Sequence, residues 1–166
     1  LGIARDSRAV EPLIKTLADS RSDVRKAAAL ALGTIGDSQA LDPLVKTLAS
    51  RDHETRRAAA VALGNVGSDQ AVDALRAISE DANEPVQLAV VEALRKIGGL
   101  RAGVVLRAII DAGRKNVGEA AEVALNSLEF APTGASERAT AAVLKGYFAS
   151  AAGEGEAAIE ALVDAL

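Results

Sequence analysis

His53 is the single imidazole in the chain, and its neighbours Asp52 and Glu54 make it the first place to look for acid–base or metal chemistry. Such chemistry needs further groups converging on the ring, and the surrounding pattern supplies none, so His53 reads as a surface histidine at the start of a helix. Among 23 Asp and Glu residues no pair has a spacing that singles it out as an acid and base couple. Most fall where caps, turns and outer helix faces are expected. The absence of Cys excludes a disulfide framework, a thiolate zinc site and a cysteine nucleophile. No catalytic residue, metal ligand or cofactor site is therefore assigned.

Arg25, Lys26, Arg56 and Arg57 form the one basic cluster, and they fall in adjacent copies of a repeated pattern. They have the chemistry to meet a phosphate or an acidic peptide. The net charge of −4 argues against a surface dedicated to nucleic acid, so a nucleic-acid partner is disfavoured. An enzyme acting on DNA bases would need a strongly basic groove with stacking aromatics, whereas the chain has two Phe, one Tyr and no Trp. No apolar run is long enough to insert in a membrane, and no signal-peptide pattern opens the chain, so a cytoplasmic location is expected.

The elements that position these side chains repeat every 31 residues. Leu1 and Gly2 recur as Leu32 and Gly33, then as Leu63 and Gly64; Ile35 and Gly36 recur as Val66 and Gly67, then as Ile97 and Gly98. Residues 1–31 and 32–62 share 16 identities, and 32–62 and 63–93 share 9. Drift in later units and an irregular tail point to a natural array. Because Leu1 and Gly2 match the end of a unit, the chain is expected to be a piece of a longer protein.

Each unit carries two apolar stripes at helical spacing. The first, helix A, is Val10, Leu13, Ile14, Leu17, repeated as Leu41, Leu44, Val45, Leu48. The second, helix B, is Val24, Ala28, Ala31, Leu32, Ile35, repeated from Thr55 and from Val86. Gly36, Gly67 and Gly98 follow the last apolar residue of a B helix, where a left-handed residue ends it. Asp37, Ser38, Ser68 and Asp69 are expected to cap the next A helix. Pro12 and Pro43 either open the regular A helix after Glu11 and Asp42 or kink its first turn. A hairpin of this length cannot bury its own stripe, so units must stack and share an elongated core.

Val24 and Arg25, followed by Ala28, Ala29, Ala31, Leu32, Gly33, Ile35, Gly36 and Asp37, resemble the HEAT-repeat pattern in its short bacterial and archaeal form. That form is also found in phycobilisome lyase subunits. The resemblance covers residues 1–128. It implies an all-α fold, an α-solenoid that is a right-handed superhelix of stacked antiparallel helical hairpins with the 31-residue repeat. It further implies that Arg25 and Arg56 are structural, bonding an acidic residue of the A-to-B turn such as Asp19 or Asp52, which leaves Lys26 and Arg57 available. Residues 129–166 break the period at Ala131, Pro132, Thr133 and Gly134 and read as a divergent helical hairpin that either caps the stack, with Tyr147 and Phe148 filling its core, or starts a further segment.

On helix B one flank is left outside the apolar stripe. In successive units it reads Lys26, Leu30, Thr34; Arg57, Val61, Asn65; Leu88, Glu92, Lys96; and Glu119, Val123, Ser127, turning from basic to acidic. The resemblance implies that B helices line the concave side, so these residues form a groove. Apolar centres at Leu30, Val61 and Val123 with charged flanks suit a protein or peptide partner. The expected function is a non-catalytic protein–protein interaction scaffold; the resemblance also suggests a subunit of a bilin chromophore lyase.

Overall fold

The computed structural model describes residues 6–128. The expected hairpin at 129–166 lies outside the described residues. Four helical pairs follow one another in the chain: α1 (Val10–Thr16) with α2 (Ser22–Ile35), α3 (Leu41–Thr47) with α4 (His53–Val66), α5 (Val72–Ala77) with α6 (Glu84–Ile97), and α7 (Gly99–Asp111) with α8 (Lys115–Asn126). The B helices α2, α4, α6 and α8 pack side by side in chain order, each also backed by its A helix. This is the expected α-solenoid.

Local signals account for the ends of the helices. Gly36 and Gly67 close α2 and α4 at φ 73° and 72°, the left-handed region that a Cβ disfavours. Each of the first three A helices is preceded by a 3-10 turn, Ser7–Ala9, Ser38–Ala40 or Asp69–Ala71, and α1 and α3 start at the first residue of their apolar stripes. Asp6 and Asp37 accept from the backbone N–H two residues on, at 3.0 and 2.9 Å. Ser68, expected to do the same, makes no such side-chain bond. The prolines do not open the regular helix. The regular helix begins ahead of them, at Val10 and Leu41, and Pro12 and Pro43 sit in the first turn where a missing N–H has no intrahelical acceptor to lose.

The core is a pair of leucine ladders at the repeat spacing. Leu32, Leu63 and Leu94 of the B helices and Leu44, Leu75 and Leu106 of the A helices are fully buried. Leu13, the equivalent in α1, is half-buried. Alanines fill the gap between B helices: Ala28 and Ala29, Ala59 and Ala60, and Ala62 are all buried. At the closest approach a glycine faces an alanine. A Cβ built on Gly33 would lie 2.5 Å from the Ala62 Cα, and one on Gly64 would lie 2.6 Å from the Ala93 Cα. Arg95 takes the corresponding position of α6, and α6 packs less extensively on α8 than on α4.

Thr55, fully buried, stands where the other units have valine. Its hydroxyl donates to Asp52 Oδ2 at 2.6 Å, and that same oxygen accepts the Thr55 N–H at 2.8 Å to cap α4. The hydroxyl is thus carried into the core with its bond already made. These two bonds hold the Asp52 carboxyl below the usual carboxylate range.

The expected bond from Arg25 or Arg56 to a carboxylate of its own A-to-B turn is not made. Arg25 Nη1 instead donates to the backbone carbonyls of Asp19 and Ser20, both at 2.8 Å, and Arg56 Nη1 donates to those of Ser50 and Arg51 at 2.8 and 3.1 Å. Gln87, at the same position of α6, donates to the Asp81 carbonyl. Turn carbonyls have no partner in a helical backbone ladder where the chain reverses, and a long donor from the next helix supplies one. The opposite edge of Arg56 reaches the following unit. Its Nε and Nη2 meet Asp81 Oδ2 and Oδ1 at 2.6 and 2.9 Å, a two-pronged pair in which both side chains are largely buried. This pair lowers the Asp81 pKa and raises that of Arg56.

Two stability measurements follow from this packing. Gly64→Ala is expected to lose roughly 1–3 kcal/mol in denaturant unfolding, because its Cβ meets backbone that must move. Gly118→Ala, with nothing within 4 Å of its Cβ, should gain about 0.5–1 kcal/mol from helix propensity. Asp81→Asn should cost about 1.5–3 kcal/mol at neutral pH. A carboxylate with a depressed folded pKa stabilises above its unfolded value of about 3.9, and that stability is lost as pH falls through the folded value. Unfolding followed below pH 4 should therefore show a shallower loss in Asp81→Asn than in the parent.

Candidate functional site

Packed side by side, the B helices bring their flanks together as one face, with polar rungs between units. Lys26 Nζ of α2 lies 3.7 Å from Glu54 Oε2 of α4. Lys96 Nζ of α6 donates to Asn65 Oδ1 of α4 at 2.8 Å. Asn116 of α8 donates to Glu84 of α6 at 2.9 Å. Along the helices, Arg57 donates to Glu54 at 3.0 Å, Arg95 to Glu92 at 2.8 Å, and the Thr34 hydroxyl to the Leu30 carbonyl at 2.9 Å.

Lys26 and Arg57 are thus not the two independent cations that the sequence suggested, since both share the Glu54 carboxylate. Glu54 comes from the position that is Asp23 one unit earlier, a residue on the same flank. The Arg57 guanidinium holds the Glu54 carboxyl below its ordinary range, with Lys26 adding to the effect. Arg95 does the same for Glu92. These pairs are a third or more exposed and contribute little to stability, so a competing partner can exchange with them at small cost. Arg57 Nε is buried without a hydrogen-bond partner among the described residues.

The apolar centres divide. Leu30, Leu88 and Val123 are 40%, 36% and 70% exposed, which makes them the large exposed hydrophobics among the described residues. Val61 is half-buried and packs against the core. Leu88 stands at a position where the other units carry Lys26, Arg57 and Glu119, so the apolar surface shifts by one helical turn at the third unit. Asn65, Glu119 and Ser127 are exposed, and Lys96 and Glu92 stand at or near the surface beside them.

His53 lies at the first turn of α4, with Nε2 3.9 Å from Glu54 Oε1. Among the described residues no group of three or more His, Asp or Glu side chains gathers to hold a metal ion. No described helix is long and apolar enough to cross a membrane.

A family model for HEAT repeats matches residues 1–61 and 42–126. No curated protein matches. Among solved structures, the chain is similar to a crystal structure of an engineered protein from the Northeast Structural Genomics Consortium, at 30% identity and a TM-score of 0.56. That similarity covers 72% of this chain and 62% of the engineered one, so the chain spans somewhat less than two thirds of its length. With matched repeats over most of its length and paired helices stacked at the repeat spacing, the chain belongs to the HEAT-repeat family.

Proposed function

We propose that this chain is an interaction scaffold whose B-helix flank holds a protein or peptide, on what the family's architecture makes the concave side. The observation that carries this reading is the exposure of Leu30, Leu88 and Val123 along helices whose polar neighbours are tied across units. Apolar side chains at unit spacing supply contact area, while the charges between them set register. The flank runs from Lys26 and Arg57 at one end to Glu119 at the other, so it favours a segment of opposite polarity: acidic where it meets α2 and α4, basic or neutral where it meets α8. HEAT repeats typically mediate protein interaction, and the family membership supports the same reading. A bilin-lyase subunit rests on the likeness of the short repeat form alone, and no described residue adds to it.

The test is affinity capture from the native lysate with the chain as bait, beside a variant carrying Lys26→Glu, Arg57→Glu and Leu30→Asp. Leu30 is chosen over Val61 because it is exposed, so its replacement does not disturb the core. A partner retained by the parent and bound at least tenfold more weakly by the variant, about 1.4 kcal/mol, is the expected outcome. Equal retention by a variant that melts as the parent does would move the binding surface elsewhere.

A further inference from the structure

The repeat places one position of each B helix opposite one position of the next A-to-B turn, and the three occurrences differ. Arg56 faces Asp81, and Gln87 stands at the position whose partner would be Ala112. Between the first two units, Arg25 stands opposite Ser50. Where the carboxylate is missing in the third pair the arginine is missing too, but Arg25 keeps its charge without that carboxylate.

Arg25 is held in the same way as Arg56. In both, Nη1 donates to two carbonyls of the residue's own turn, which leaves the Nε and Nη2 edge for another partner. For Arg56 that edge is filled by Asp81. Arg25 lines a hollow of about 480 Å³ between the first two units, to which Ser50 and Lys46 contribute from α3 and its turn and Ile14, Leu17 and Pro43 contribute apolar wall. The Ser50 hydroxyl accepts from the Asp52 N–H at 3.3 Å, as Asp81 accepts from the Asn83 N–H at 2.9 Å, which leaves the Ser50 O–H to donate. Asp52 lies near enough for its charge to feel Arg25, but it makes no hydrogen bond or ion pair with it, and its Oδ2 is taken by the Thr55 N–H and hydroxyl. Arg56 feels Asp52 as well and still takes Asp81.

We infer that the hollow between the first two units is a carboxylate-binding site, in which a ligand carboxylate takes the place that Asp81 holds for Arg56. Arg25 Nε and Nη2 grip its two oxygens, the Ser50 hydroxyl donates to one of them, and Lys46 adds positive charge at the rim. The apolar wall accommodates a short aliphatic group beside the carboxylate, as at a peptide C-terminus or an acidic side chain. The site lies on the A-helix side and is independent of the B-helix flank.

The experiment follows the arginine Nε–H resonances of the whole chain by NMR while N-acetyl-leucine, N-acetyl-aspartic acid amide and N-acetyl-leucinamide are added in turn. Saturable movement of the Arg25 signal with either acid, with Arg56 unmoved and no response to the neutral amide, is expected; the acid that binds more tightly identifies the source as chain terminus or side chain. Ser50→Asp supplies the missing carboxylate from within, so it should abolish the response and unfold at a temperature no lower than the parent. Arg25→Gln, which copies the residue native to the third unit, gives a second check through the backbone amides of Ala49 and Ser50, whose acid-induced shifts should vanish. No response of Arg25 to either acid, or an undiminished response in either variant, overturns the inference.

Discussion

The close seating of glycine on alanine between successive B helices is the constraint from which the rest of the structure follows. A hairpin of two short helices has too little core of its own, so each unit is stable only against the next. Gly33 on Ala62 and Gly64 on Ala93 bring the helix backbones close enough for the leucine ladders on either side to be covered. Where Arg95 replaces the glycine, α8 packs less extensively on α6. The spacing set at this contact decides which side chains of neighbouring units can touch.

Each cross-unit contact depends on that spacing. The Arg56–Asp81 pair joins residues of two different units in a largely buried place, where removing one partner leaves an uncompensated charge. The exposed rungs Lys26–Glu54 and Lys96–Asn65 depend on it as well, but they face solvent and are readily exchanged. The proposed binding surface thus rests on pairs whose loss the fold tolerates, and the inter-unit packing on a pair whose loss it does not.

Repetition also makes the exceptions informative. Thr55 among valines is explained by the Asp52 cap, which supplies the acceptor that the hydroxyl requires. Ser50 opposite Arg25 departs from Asp81 opposite Arg56 in the other sense, since there the acceptor is lost and the donor kept. In a stack whose units share one backbone plan, such substitutions can be compared as variants at one site within a single molecule.

The sequence alone determined the period, the two helices of each unit, their glycine stops and the residues of the core, because helical periodicity and left-handed glycines are local properties of the chain. It also placed the candidate flank, since position around a helix axis follows from residue number. Tertiary structure decided which of those residues are exposed and with what they pair. That Val61 packs inward while Leu30 does not, that Lys26 and Arg57 share Glu54, and that Arg56 bonds a carboxylate 25 residues ahead instead of one in its own turn depend on distances between helices. Those distances come from Cβ atoms absent at two glycines and facing two alanines, a contact between segments 29 residues apart that no local pattern of the chain encodes.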